Sequence, residues 1–453
     1  MNKIIRYLES IGYKTVDTEY SRLIRLWGDW YRGRVASVHN YEVYNGIRKL
    51  RRCRKSLGMA KKVCEDWANL LLNEKVEIKA DNDDVNERVG AVLELNRFGV
   101  YGNQLIEKAF ALGTGAFVEY TDGGDIVIDY ITARHIFPLT WDNGDITECA
   151  FASERKVGKE THVYLNIHRL DERGEYIVEN RYFCATRDRL LELPLPDGMV
   201  EFVETRSSVP RFQIIYPNIA NNIDPDAPLG ISVYANALDQ LEACDVIFDS
   251  FYNEFNLGRK RVIVPMSMVR AMLEKSGGGV TPVFDENDIT FYAYQTDDKT
   301  QKIDEMNGEL RVQSHVDGLN EAVNLVGYKC GFGEHKYRFD GGGAKTATEI
   351  ISEDSDMFRA VRKHEAVITA AITGLYRAVA EMLGIRTVFK VSIDFDDSII
   401  EDRATEQARD RQDVIDGLMS RIEYRVKWYH ETEEEAARKL QGLLENDAIL
   451  GLT

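Results

Sequence analysis

The stretch FDGGGAKTATEI, Phe339–Ile350, decides how this chain is read. Three glycines, a lysine and a threonine ahead of a helical pattern suggest a phosphate-binding loop. That loop needs G-x-x-x-x-G-K-[ST], because backbone N–H groups must wrap the phosphates while the lysine reaches over them. Here Phe339 and Ala344 stand at the two glycine positions. The preceding residues, GEHKYR, are polar and supply no apolar strand to feed the loop. The segment therefore reads as a flexible loop opening a long helix. Thr346 and Glu349 have capping-box spacing, so the helix begins there. Ile350, Met357, Val361, Ile368, Ile372, Leu375, Val379 and Met382 keep the helical period to Leu383, and Gly384 is the stop. About 40 helical residues measure roughly 55–60 Å. That is long for a globular helix and suits a large assembly or a subunit interface. Gly374 offers a place to bend.

Upstream, the spacing predicts a helix over 313–330, with Val316, Leu319, Val323 and Val326 as its apolar stripe. Asp317, Glu321 and Asn324 follow one another at i, i+4, i+7 on a different face. An earlier helix is predicted from Ser232 to Leu257, roughly 40 Å of rod. Its stripe is Tyr234, Ala237, Leu238, Leu241, Cys244, Phe248, Phe251 and Phe255. It carries Asp239, Glu242, Asp245, Asp249 and Glu254 but no Lys or Arg. Gly258 ends it, and Arg259, Lys260 and Arg261 suit the negative end of its dipole. Between these helices, residues 261–312 read as a small α/β insert. RVIVP and ITFYAYQ are its strands, SMVRAMLEK a short helix closed by GGG, and QTDDKTQKID an exposed connection.

Residues 1–114 read as mainly helical; Met59, Val63, Trp67, Leu70 and Leu71 give one apolar face. Arg48–Lys62 holds eight basic residues and no acid. Such a run is a solvated face, or a contact for nucleic acid or an acidic neighbouring subunit. From Gly115 to Pro217 the pattern turns to a β meander. GAFVEY and DIVIDYI flank a GG turn, and THVYLNIHRL and EYIVENRYFC flank DERG. RTVFKVSIDF, 386–395, is one more strand, expected to join that β region. The tail has three capping boxes, Ser398/Glu401, Ser420/Glu423 and Thr432/Glu435, and so a cluster of short helices. The fold class is α+β, mainly α.

The chain's 453 residues suggest about three domains. No run approaches the ~18 apolar residues of a membrane span, and the N-terminus lacks the pattern of a signal peptide. An intracellular protein is expected. Cys53, Cys64, Cys149, Cys184, Cys244 and Cys330 form no CxxC pair and read as buried free thiols. His135, His162 and His168 show no partners at metal-ligand spacing. No HExxH, GxSxG, GxGxxG or EF-hand pattern is present, so no catalytic residue, cofactor or metal is expected. A net charge of −18 argues against tight DNA binding, though not against DNA passing nearby.

Three segments carry a resemblance. YEVYNG (41–46) followed by MAKKVCEDWANLLLNE, KTATEIISEDSDMFR (345–359), and DRATEQARDRQDVIDGLMSRIEYR (402–425) followed by ETEEEA resemble portal proteins of tailed bacteriophages. These are head-to-tail connectors, and the likeness is to the siphophage type of Gram-positive hosts. It extends over about residues 20–440. The resemblance implies a ring, by analogy a dodecamer, around a DNA channel at the capsid vertex. Residues 1–230 would be wing, 231–260 the first stem helix, 261–312 clip and 313–330 the second stem helix. Residues 331–345 would be the tunnel loop, 346–397 the long helix with a wing strand, and 398–453 the crown. It also implies partners: the large terminase subunit, head-completion proteins, and the capsid and scaffolding proteins. Duplex DNA must slide without being held, because each neutralised phosphate adds affinity through counterion release. Asp317, Glu321 and Asn324 are the expected channel lining. His335, Lys336, Arg338 and Lys345 are the expected DNA-proximal cations of the loop. Glu274, Lys275, Asp285 and Glu286 are the expected partner-facing residues of the clip. Alternative readings are a packaging-associated ATPase or nuclease, and a virion adaptor without a channel.

Overall fold

A computed structural model describes residues 2–16, 18–44, 48–258, 261–265, 291–294, 304–306, 308–339, 347–395, 403–429, 431–432 and 435–441. The chain divides into two compact units, Met1–Leu72 with Lys79–Ser392, and Asn73–Ile78 with Ile393–Thr453.

The first unit opens with α1 (Asn2–Ser10) and α2 (Thr18–Tyr31). On α2, Tyr20, Ile24, Trp27 and Trp30 recur at helical spacing and are all buried. A short helix α3 (Ala36–His39) leads into an antiparallel hairpin, β1 (Asn40–Tyr44) and β2 (Lys49–Cys53). The basic run thus begins on an exposed strand, whose Arg51 side chain is 92% exposed. Next come α4 (Met59–Leu71), β3 (Glu77–Ala80), α5 (Asp83–Leu95) and α6 (Phe98–Leu112). Asn82 caps α5 by accepting from Val85 N at 3.3 Å. Gly113 ends α6 at φ +90°, with Gly230 O only 2.3 Å from where a Cβ would stand.

The β region is two sheets, where the sequence reading had one meander. β4 (Gly115–Asp122) and β5 (Asp125–Thr132) turn at Gly123-Gly124 as expected. β6 (Ile136–Asp142), β7 (Asp145–Val157), β8 (Glu160–Leu170), β9 (Tyr176–Ala185), β10 (Leu190–Leu193) and β11 (Phe202–Glu204) form the second sheet. β12 (Phe212–Ile215) returns to pair with β4. One face of the second sheet buries Phe137, Leu139, Ala150, Val163, Leu165, Ile167 and Phe183 against Ile4, Ile5 and Leu8 of α1. Period-2 alternation on the strands meets a helical stripe there.

The helix expected from Ser232 begins instead at Leu238, as α7 (Leu238–Leu257), about 30 Å long. The residues before it are engaged elsewhere. Val233 N and Ser232 Oγ both donate to Phe110 O, and Tyr234 OH donates to Trp27 O at 2.8 Å. In the insert, β13 (Arg261–Pro265) pairs in parallel with β14 (Phe291–Tyr294) and antiparallel with β15 (Asp304–Met306). β15 starts at the end of the polar run read as a connection. Its pairing with β13, which polarity does not report, makes it a strand. The expected helix over 267–275 lies outside the described residues, with Glu274, Lys275, Asp285 and Glu286.

α8 (Val312–Lys329) follows the predicted stripe, with Leu319, Val323 and Val326 buried and packed on α7. α9 (Ala347–Met382) has 36 residues, about 54 Å. It ends at Gly384, φ +76°, where Gly384 N donates to Glu381 O and Ile385 N to Ala380 O. Thr346 of its expected capping box lies outside the described residues. Gly374, read as a possible bend, instead lets β12 approach: a Cβ there would lie 2.8 Å from Gln213 Cγ. β16 (Val391–Asp394) pairs with β3 and not with the 115–217 region, correcting the expectation. Asp81 fixes that choice, because its N–H donates to Lys390 O and its carboxylate accepts from Lys390 N.

In the second unit, α10 (Arg403–Ile415) and α11 (Arg421–Tyr429) meet where Trp428 Nε1 and Lys427 Nζ both reach Asp410, at 3.0 and 2.7 Å. Ser420 and Glu423 form the predicted capping box reciprocally, at 2.7 and 3.1 Å, as do Thr432 and Glu435 at 3.2 and 3.3 Å. Ser398/Glu401 lies outside the described residues.

Candidate nucleic-acid interface

α7, α8 and the loop after α8 carry the residues the sequence singled out. The acids of α7 divide into three kinds. Asp239 and Glu242 are exposed. Asp245 and Asp249 are buried and act as acceptors. Asp245 takes His39 Nε2 at 2.9 Å, Leu57 N at 2.7 Å and Ser56 Oγ at 3.1 Å. Asp249 takes Lys55 N at 3.0 Å. They pin the segment leading into α4 to α7, and so are not part of an open acidic stripe. Glu254, in the last turn, is held by the Arg311 fork at 2.7 and 3.1 Å and by Arg311 N. Those bonds hold its carboxyl down at about 2.

On α8, Asp317 and Glu321 are exposed, and Asp317 accepts from Gln313 Nε2 at 2.7 Å. Asn324 differs from them. It is half-buried and its side-chain oxygen accepts from His335 N, while one turn earlier the buried Asn320 accepts from Phe339 N at 2.9 Å. Two asparagines at i, i+4 thereby hold the loop along its own helix. Asn320 escaped the sequence reading, although its spacing to Asn324 was the available signal.

The loop's first half is packed. Trp67 Nε1 donates to Cys330 O at 3.0 Å, and its indole lies 4.5 Å from the Phe332 ring and 4.6 Å from His364 of α9. Phe332 in turn meets Tyr337 at 5.5 Å. Burial, with the Asp66 carboxylate beside it, raises the Tyr337 hydroxyl. Burial also holds His364 down at about 3, neutral, with Nδ1 accepting from Asn218 N. Gly331 and Gly333 take φ of +88° and +72°. His335 follows them into that region at +72°, which is costly for a residue with a Cβ.

Of the loop cations, His335 and Arg338 are brought together, with Arg338 Nη1 2.9 Å from His335 Nδ1. Glu334 lies 3.8 Å from His335 Nε2. Lys336 is exposed. Lys345 lies outside the described residues. The exposed surface of α7 and α8 is also apolar in places: Val246, Tyr252, Phe255, Leu325 and Tyr328 are each at least 40% exposed.

The expectation of buried thiols fails in part. Cys64, Cys149, Cys244 and Cys330 are buried, but Cys53 is exposed and Cys184 half-buried. His162 has neighbours of metal-ligand type: strand register sets Cys184 opposite it, with Glu160 two residues away on the same face. That juxtaposition spans 24 residues and leaves no local motif. His168, by contrast, is buried against Phe151 and Phe212.

Among the described residues no helix is long and apolar enough to cross a membrane. A search among individual curated proteins finds no match. The family described as phage portal protein, SPP1 Gp6-like, matches residues 13–445. The match runs from just before α2 through the β region, the insert and the loop in one span, so the chain belongs to the phage portal proteins, structural components of the virion that connect head to tail and serve genome packaging.

Proposed function

We propose that copies of this chain form a ring, a dodecamer by analogy, whose central channel passes double-stranded DNA into and out of the capsid. In this reading α7 and α8 are the stem, 261–312 the clip, 331–345 the tunnel loop and 398–453 the crown. Residues 1–230 and 346–397 form the wing. The carrying observation is the loop after α8, which presents His335, Lys336 and Arg338 beside a helix whose exposed face bears Asp317 and Glu321. A few cations per copy, repeated around a ring, touch phosphates weakly from many sides. The acids beside them keep total affinity low.

Ring formation draws support from Val246, Tyr252, Phe255, Leu325 and Tyr328, apolar side chains left exposed on the two helices. Neighbouring copies cover them in this reading. The large terminase subunit docks on the clip during filling, with Glu274, Lys275, Asp285 and Glu286 facing it. Head-completion proteins follow, and capsid and scaffolding proteins surround the wing. Assembly takes place in the host cytoplasm. The chain hydrolyses no nucleotide; the motor does.

Negative-stain images of the purified chain should show rings with a central hole. Solitary particles, or ATP turnover by the purified chain, would refute the reading. Lys336→Ala with Arg338→Ala should lower DNA packaging or retention while rings still form. Unchanged packaging removes the loop's role.

A further inference from the structure

The β8–β9 hairpin has two unlike faces. Val163, Leu165, Ile167 and Phe183 face the core under α1. The other face is a ladder of polar side chains. His162 Nδ1 lies 2.7 Å from Tyr182 OH, Tyr164 OH donates to Asn180 Oδ1 at 2.6 Å, and Asn166 Nδ2 donates to the same oxygen at 2.8 Å. At its open end, where β8 begins and β9 finishes, stand Glu160, His162 and Cys184.

Their ligand atoms all lie within 4.8 Å of one another. His162 Nε2 is 3.3 Å from Glu160 Oε2, and Cys184 Sγ is 3.7 Å from the same oxygen. Tetrahedral zinc, with bonds of about 2.0 Å to N and O and about 2.3 Å to S, sets N and O about 3.3 Å apart and S and O about 3.5 Å apart. These two observed edges lie close to that geometry. The imidazole is also supported from behind. A metal on Nε2 requires the proton on Nδ1, and the Tyr182 hydroxyl is placed to accept it. The His162 side chain is 13% exposed, and that of Glu160 67%, so the site has one rigid ligand, one mobile ligand and an open approach.

We propose that Glu160 Oε2, His162 Nε2 and Cys184 Sγ form a three-ligand site for a divalent transition metal of the zinc type, with a fourth position open to water or another donor. The donor set selects the metal. Thiolate and imidazole favour zinc over magnesium or calcium, which prefer six or more oxygens. Burial and the Glu160 carboxylate raise the Cys184 thiol in the free protein. A bound dication reverses that, and the thiol proton is released to solvent on binding. The metal ties the start of β8 to the end of β9, closing the hairpin opposite its DERG turn. The inference stands on the hairpin alone and does not depend on the channel reading.

Cobalt(II) titrated into the full reduced chain tests it. The native protein should develop a thiolate-to-cobalt charge-transfer band in the near ultraviolet and tetrahedral bands in the visible, both bleached by zinc. Cys184→Ser should abolish the charge-transfer band, whereas Cys53→Ser, at the other non-buried thiol, should keep it. Tyr182→Phe retains all three ligands and should weaken cobalt binding roughly tenfold. Zinc should raise the melting temperature of the native chain and not that of His162→Gln. Absence of the band in the native protein, or its survival in Cys184→Ser, overturns the proposal.

Discussion

His39 Nε2 lies 2.9 Å from Asp245 Oδ2, and both side chains are at most 5% exposed. This buried pair joins α3 to α7 across 206 residues of sequence. Asp245 also accepts from Leu57 N and Ser56 Oγ. Removing its carboxylate therefore strands three buried or half-buried donors at once. Asp245→Ala should destabilise the chain by about 3–5 kcal/mol, because each donor left without its partner costs roughly 1–3 kcal/mol. Asp245→Asn, which keeps an acceptor, should cost less. Urea denaturation of both variants checks the order.

Gly113 combines φ +90° with a carbonyl oxygen 2.3 Å from its missing Cβ. Backbone cannot rotate away as a side chain can. Gly113→Ala should fail to give soluble, folded protein, or melt far below the native chain. Gly374→Ala meets only the Gln213 side chain, whose Cγ is nearest at 2.8 Å, and should be milder. Melting temperatures measured side by side test the contrast. Equal tolerance of both would contradict the packing described.

Asn320 and Asn324 hold the loop by two backbone N–H bonds. Each bond contributes about 1 kcal/mol net. Asn320→Ala and Asn324→Ala should each speed amide exchange at Phe339 and His335, and the double variant should do so by more than either. Exchange within α8 itself should change little.

Glu119 is fully buried, and burial lifts its carboxyl from 4.5 to about 8. The fold therefore holds this proton where the unfolded chain has released it. Stability contributed here is present below about 4.5 and falls as pH rises through about 8. Near neutral pH the deficit is roughly 3 kcal/mol, at about 1.4 kcal/mol per pH unit. His168 and His364 act in the opposite sense: burial holds both at about 3, so they cost stability as pH drops below 6.5. Glu119→Gln should gain stability progressively from about pH 5 to pH 8 and leave the acid limb in place. A native-like pH slope in that variant would exclude Glu119 as the source.

Local periodicity carried well from sequence to structure. The stripe of α8, the GG turn between β4 and β5, the Gly384 stop and two of the tail capping boxes are each set by residues within a few positions of one another. What escaped depends on distant partners. α7 starts late because Ser232, Val233 and Tyr234 are claimed by Phe110 and Trp27. β16 chooses β3 because Asp81 meets Lys390. The candidate site divides the same way. The cations of the loop are visible as composition, but their support by Trp67, Asn320 and Asn324 is tertiary. Asp245 and Asp249 show that an acid's type and spacing cannot reveal whether it faces water or a buried N–H.

The 18 residues of α8 form a pushrod about 27 Å long. Its C-terminal half grips the loop through two side chains a single turn apart, so twisting the rod strains both grips together. At the other end Arg311 clamps Glu254, four residues before the chain leaves α7 at Gly258. A tug on the loop therefore travels along the rod's axis and arrives at the root of the insert, giving two remote regions a shared mechanical linkage.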